Sequence, residues 1–168
     1  LFITEGKSKA IYNNLFIDAE NFEYDKISNI LIAKDNVEIN DKEKNLKIYS
    51  QKITYFKNKE LFITEGKSKA IYNNLVIDAK NFEYDKISNI LIAKDNVEIE
   101  DKIKNYLIFT EKATYLKNQE KIFTNGKTKA NIQSKYDFLS KNVFLDRNQM
   151  ELSSSDNSII EDDESNLY

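Results

Sequence analysis

Apolar and polar residues alternate along most of this chain with a period of two. Val37-Glu-Ile39, Leu46-Lys-Ile48 and Phe82-Glu-Tyr84 each place apolar side chains on one side and a charge on the other, the pattern of a strand with one buried face. β-Branched and aromatic residues dominate these segments, and helical spacing persists nowhere beyond one turn. Ile30-Leu-Ile32 and its copy Ile90-Leu-Ile92 are apolar on both sides, as expected for a strand covered on both faces. Polar runs such as Asp25-Lys-Ile-Ser-Asn29 and Phe56-Lys-Asn-Lys-Glu60 interrupt the alternation and predict turns. Strand, polar turn and strand make one unit. Tyr24, Tyr55, Tyr84 and Tyr115 mark that unit at spacings of 31, 29 and 31, Leu145 follows 30 later, and a cation stands two residues beyond each: Lys26, Lys57, Lys86, Lys117 and Arg147.

Two such units form a larger repeat. Residues 61–120 copy residues 1–60 with 12 differences in 60 positions, and Leu1–Leu15 is identical to Leu61–Leu75. A third block begins at Lys121. At an offset of 61, Asn157–Tyr168 lies over Asn96–Leu107, so the acidic, serine-rich stretch Ser153–Glu164 reads as a further strand pair rather than a disordered tail. Self-similarity at a fixed period implies stacked units that bury their apolar faces against one another. The chain is therefore expected to be one all-β domain over 1–168, built from repeats 1–60, 61–120 and a partial 121–168, as antiparallel hairpins stacked along an axis. It starts inside a strand-like run without Met, and reads as part of a longer protein whose signal peptide lies elsewhere.

Composition narrows the chemistry. The chain has no Pro, Trp, His or Cys and three Gly, with a net charge of −3 from intermixed signs. Absent Cys, there is no disulfide and no thiolate metal site; absent His, the commonest general base is missing. Mixed charge argues against a nucleic-acid partner, and no apolar run nears the roughly 18 residues of a membrane-crossing helix. Asn, Asp and Ser must supply the turns. Gly6, Gly66 and Gly126 share one phase and are expected mid-strand, at bulges.

The inward face is expected to carry Phe22, Tyr24, Leu31, Ala33, Val37, Ile39, Ile53 and Tyr55, with the copies Phe82, Tyr84, Leu91, Ala93, Val97, Ile99 and Tyr115. These either fill a closed core or line an open-sided groove for a lipid chain, each buried methylene contributing about 0.8 kcal/mol. Small inward residues (Ala33, Thr64, Ser68, Ala70) would leave room for a guest. Lys7 and Lys9 recur as Lys67 and Lys69 and as Lys127 and Lys129. That stripe is either a solvated face that discourages edge pairing or a row meeting phosphorylated headgroups. The carboxylates Asp18, Glu20, Asp35 and Glu38 read as surface, since position 20 becomes Lys80 in the next copy. No catalytic, metal or cofactor motif occurs, and no enzyme is expected.

Ala33-Lys-Asp-Asn-Val-Glu-Ile39, its copy Ala93–Ile99, and Lys52-Ile-Thr-Tyr55 with its relatives at Tyr84 and Tyr115 resemble the OstA-like repeat of the lipopolysaccharide-transport proteins, which include the LptA bridge, the periplasmic domain of LptC and the N-terminal domain of LptD. Lys141–Ser154, with Ile159–Asp162 and Asn166–Tyr168, looks most like LptD. The resemblance spans the chain, but the Gly of the repeat's Gly-Asn-Val step is here Asp35 or Asp95. It implies a twisted, partly open β-jellyroll of V-shaped section that binds lipopolysaccharide acyl chains and passes them along an apolar groove. It further implies a periplasmic location associated with the outer membrane, strand-edge pairing with neighbouring jellyroll domains, and an outer-membrane β-barrel as a further part of the same chain. The alternative is a structural or adhesive β-solenoid with a closed core and no ligand.

Overall fold

The computed structural model describes Phe2–Tyr168. The first repeat holds β1 (Phe2–Thr4), β2 (Ser8–Tyr12), β3 (Leu15–Ala19), β4 (Asn21–Asp25), β5 (Ile30–Asp41) and β6 (Leu46–Phe56). The second holds β7 (Leu61–Glu65), β8 (Ser68–Tyr72), β9 (Leu75–Ala79), β10 (Asn81–Asp85), β11 (Ile90–Asp101) and β12 (Tyr106–Leu116). The third holds β13 (Lys121–Ile132), β14 (Tyr136–Lys141), β15 (Phe144–Asp146), β16 (Glu151–Ser153) and β17 (Ile159–Asp162). Of the strand pair expected in the acidic tail, the first strand is present as β17 and the second only as a single antiparallel bridge from Leu167 to Glu161. Single 3-10 turns at Lys57–Lys59 and Lys117–Gln119 occupy two of the predicted polar turns.

All pairing is antiparallel, and it defines two sheets. One runs β1-β4-β5-β6-β7-β10-β11-β12-β13-β15-β16. The other runs β2-β3-β5-β6-β8-β9-β11-β12-β13-β14-β17. The long strands β5, β6, β11, β12 and β13 bend midway and belong to both, so the sheets share a vertex and splay toward their turns as a V.

Local chemistry places the bends. In β5 and β11 two residues face one on the partner strand between Lys34 and Val37, and between Lys94 and Val97. The extra pairs Asp35-Asn36 and Asp95-Asn96 sit at φ 64° and 51°, and 66° and 54°. Asp and Asn tolerate this left-handed region, and the Asp35 carboxylate accepts the Asn21 side-chain amide at 3.1 Å. That is how Asp replaces the Gly of the resembled repeat. Of the glycines, only Gly126 lies inside a strand; Gly6 and Gly66 join short strands as the chain crosses the vertex, which corrects the mid-strand expectation. At Gly66, φ is +85° and an added Cβ would fall 2.3 Å from Gln51 Oε1.

Inward residues form continuous rows across the sheets. One row of the first sheet is Phe2, Tyr24, Leu31, Tyr55, Phe62, Tyr84, Leu91, Tyr115, Ile122, Leu145 and Leu152. Within it the Tyr55 and Phe62 rings stack at 4.1 Å, with Tyr84 at 6.0 Å from Phe62. The facing row of the second sheet is mainly isoleucine, Ile39, Ile48, Ile77 and Ile99, with Ala70 among them. Rings on one face and branched side chains on the other fill the space between at interior density. Thr64 and Ser68 do not leave room for a guest. Their hydroxyls bond each other at 2.8 Å and Ser68 meets Ser50 at 3.0 Å, while Phe82 N donates to Thr64 Oγ1 at 2.7 Å. They satisfy backbone where the vertex interrupts the ladder.

Candidate functional site: the interior and its mouth

The fifteen inward candidates all face the space between the sheets. Phe22, Ala33, Val37, Ile39, Ile53, Tyr55, Phe82, Tyr84, Leu91, Ala93, Val97, Ile99 and Tyr115 are buried, and Tyr24 and Leu31 are half-buried. The middle of the V is closed: Tyr55, Tyr84 and Tyr115 are 1%, 1% and 2% exposed. The interior opens at its ends. At the N-terminal end a cavity of about 300 Å³ is lined by Phe22, Tyr24, Leu31 and Tyr55 together with Tyr12 and Lys57. At the C-terminal end one of about 560 Å³ is lined by Ile132, Tyr136, Phe138, Leu152, Ile160 and Tyr168.

The lysine stripe lies elsewhere. Lys7, Lys67 and Lys127 are exposed beside the bends, on the outside of the second sheet and at the far side of the section from the mouth. Lys9, Lys69 and Lys129 pair with Asp18, Asp78 and Asp137 on the adjacent strand at 3.2, 2.8 and 3.0 Å. Shallow hollows recur there, lined by Lys7 and Lys9, by Lys67 and Lys69, and by Lys127 and Lys129.

The cations that face the interior's opening are those two residues beyond the row of tyrosines. Lys57 lies 4.5 Å from the Tyr12 ring centre and 5.1 Å from that of Tyr24. Lys117 repeats this on Tyr72 and Tyr84 at 4.5 and 5.4 Å and donates to the Lys44 carbonyl at 3.2 Å. Lys86 and Arg147 meet carboxylates instead. Lys86 Nζ stands 3.6 Å from Asp41 and Glu43 and 3.9 Å from Glu60. Arg147 donates to Tyr106 at 2.7 Å, Tyr115 at 2.9 Å and Asp101 at 2.8 Å, and pairs with Glu120. Lys26, first in the series, is exposed. Sequence reading missed this cluster because each cation lies one residue past the end of its strand, where strand parity no longer assigns a side. Parity does put Asp41 and Asp101 inward after Ile39 and Ile99, within their strands, and both are buried.

Burial governs the electrostatics. The Tyr106 hydroxyl is pushed up to about 12 by burial, against the opposing charge of Arg147. Burial raises Tyr84 and Tyr115 further. Burial disfavours the charged form of Asp101, but hydrogen bonds from Lys104 N and Arg147 outweigh it and leave the carboxyl below its ordinary range. Lys117 is lowered to about 8, chiefly by burial and with a contribution from Lys44, against the opposing carboxylates of Asp41 and Glu120. Below about pH 8 its charge is present folded and unfolded, and the burial cost is whole. Between 8 and the ordinary lysine value of 10.5 only the unfolded chain holds the proton, so stability rises through that window. Lys117→Met is therefore expected to add about 1 kcal/mol at pH 7, a modest gain because the rim admits water. The gap to wild type should close by pH 10. Urea unfolding at both pH values checks this, and a gap that persists at pH 10 would refute the assignment to Lys117.

The architecture is that of a two-sheet β-jellyroll, V-shaped in section, with an apolar interior between sheets that share bent strands. The solved structure of LptH, the LptA homologous periplasmic component of the lipopolysaccharide transport device of Pseudomonas aeruginosa, is similar to it. The similarity has a TM-score of 0.55 at 14% identity and covers 61% of this chain and 75% of that one. No protein-family model and no curated protein matches the sequence. No helix among the described residues is long and apolar enough to cross a membrane, and no group of carboxylates among them is arranged to hold a metal.

Proposed function

We propose that this chain is a non-catalytic periplasmic module that binds lipopolysaccharide and passes it toward the outer membrane, most like the N-terminal domain of LptD. The carrying observation is the V-shaped jellyroll whose apolar interior opens at both ends, together with its likeness to the LptH fold. On this reading Tyr24, Leu31, Phe22 and Tyr55 receive acyl chain first. The other inward residues, Ala33, Val37, Ile39, Ile53, Phe82, Tyr84, Leu91, Ala93, Val97, Ile99 and Tyr115, continue the path, and Lys7, Lys9, Lys67, Lys69, Lys127 and Lys129 offer charge to headgroup phosphates on the outside. The partners are neighbouring jellyroll domains joined strand edge to strand edge, with a β-barrel on the same chain as the outer-membrane element. The repeat supports the edge partners: β7 and β8 pair with β6, whereas β1 and β2, of the same sequence, have no strand on that edge among the described residues.

The closed middle of the V favours a second reading, a structural solenoid that holds no ligand. Photocrosslinking to purified lipopolysaccharide separates the two, with benzoylphenylalanine placed in turn at Tyr24, Leu31 and Ile99 and, as outward controls, at Lys47 and Lys112. Crosslinks at Tyr24 and Leu31 but not the controls are expected. A folded protein silent at all three inward positions would leave the structural reading standing.

A further inference from the structure

The two edges of the V are held by different means. At the vertex the backbone itself is continuous, through five bent strands. At the mouth, backbone hydrogen bonds stay within one rim: Lys57 N donates to Asn29 O and Lys117 N to Asn89 O on the first-sheet side, and Lys42 N to Asn14 O on the other. Among the described residues the rims meet through side chains alone. Each rung reaches from a turn of the first sheet across to the second: Lys57 to Tyr12, Lys86 to Asp41 and Glu43, Lys117 to Tyr72 and the Lys44 carbonyl, and Arg147 to Asp101 and Tyr106. Only Lys104 crosses in the opposite direction, to the Arg147 carbonyl. A backbone hinge opposite a side-chain closure is the construction of a latch.

The rungs are also graded. Arg147 is fully engaged, its planar fork reaching carboxylates and phenols at once. Lys117 has two rings and one carbonyl. Lys86 makes charge contacts only, at 3.6 Å and beyond, outside hydrogen-bond range, and it leaves buried Asp41 Oδ2 and the Tyr55 hydroxyl without a partner. Lys57 rests on Tyr12, which is 40% exposed, beside the N-terminal cavity that is already open.

We propose that the mouth is a graded latch, in which Lys57, Lys86 and Lys117 release in turn from the N-terminal end while Arg147 stays closed, and that release admits an apolar chain sideways into the sealed middle of the V. Opening needs no strand to unpair, because no ladder hydrogen bond spans the mouth. Buried Asp41 Oδ2 and Tyr55 OH lose no hydrogen bond when Lys86 swings away, only the 3.6 Å charge contact to Asp41, whereas opening at Arg147 would strand Asp101 and Tyr106 together. The guest's identity is immaterial to the device.

The test is the rate at which cis-parinaric acid, a fluorescent polyene chain, enters the full chain by stopped flow. Lys86→Arg turns the weak rung into a copy of the strong one and is expected to slow the entry phase about tenfold, the factor that one added charge-assisted hydrogen bond supplies. Lys57→Gln, at a half-exposed position that does not threaten folding, is expected to speed it several-fold, roughly the worth of a partly desolvated cation–ring contact. A wild-type protein that the dye never enters, or one rate shared by all three proteins, overturns the latch. The Tyr24 and Leu31 crosslinks report on a cavity open without the latch, so they can succeed where the latch fails.

Discussion

Phe62→Ala is expected to cost about 3–5 kcal/mol of unfolding free energy, and Phe2→Ala close to nothing, although the two residues stand at the same place in identical fifteen-residue segments. Phe62 is 0% exposed and Phe2 is 60% exposed. Phe62 lies between Tyr55 on β6 and Tyr84 on β10, stacked on the first at 4.1 Å with the planes 2° apart. Truncation removes the transfer free energy of a buried ring and leaves a void that stiff flanking strands cannot collapse, and it also deletes aromatic pairing worth about 0.5–1.5 kcal/mol. Phe2 has Tyr24 on one side only. Sequence being equal, the difference measures what the preceding strands contribute by covering the segment. Urea unfolding of both variants, at several protein concentrations, provides the comparison. Equal losses would mean that β1 is covered in solution, and a loss at Phe2 that grows with concentration would identify a second copy as the cover.

The same comparison shows why some of the structure was legible in the sequence and some was not. Period-two alternation named the inward residues correctly because a strand has two faces and water decides between them: Val37, Ile39, Ile53 and Tyr55 are all inside. The turns were legible because Asp25, Asp85, Asp101 and Asp146 each accept backbone N–H groups a few residues on, chemistry written in local residue type. What alternation cannot state is which sheet a strand joins. Whether β5 runs straight or bends at Asp35-Asn36 is decided by partners far along the chain, so alternation by itself yielded hairpins, and the V came only through the resemblance to the OstA-like repeat. It also cannot tell an open groove from a filled one. Ile39 and Ile99 are inward in either case, and closure depends on Lys86 and Arg147 meeting residues about a repeat and a half of the hairpin unit earlier. The mouth cations were not placed by alternation, because Lys57, Lys86 and Lys117 each lie one residue past the end of a strand. A charged side chain at an inward position is admissible when it carries its own partners inside, and here the partners were the inward Asp41 and Asp101.

Arg147→Met is expected to be the most damaging change at the mouth, at about 3–5 kcal/mol, because breaking a buried pair by removing one partner leaves the other charge uncompensated. Asp101 Oδ2 and the Tyr106 hydroxyl would lose their bonds to the guanidinium, leaving Asp101 with the backbone N–H groups of Ile103 and Lys104. Lys86→Met, at the equivalent place one repeat earlier, should cost less, since its ammonium makes no hydrogen bond to Asp41 and two buried acceptors there are already unpaired. Lys86→Arg should stabilise by about 1 kcal/mol, as a planar fork reaches what the ammonium does not. Acid titration distinguishes this account from simple loss of packing. The Asp101 carboxyl is held below the ordinary carboxyl value of 3.8 in the folded chain. Its contribution is therefore fully present above that value and is lost as pH falls through the lowered one. In Arg147→Met that acid-sensitive step should shrink, because the guanidinium that helped hold the carboxyl down is gone. Guanidinium unfolding followed from pH 7 to pH 2 reads both quantities. A variant that loses stability yet keeps the full acid step would show that Arg147 acts through packing of its stem rather than through Asp101.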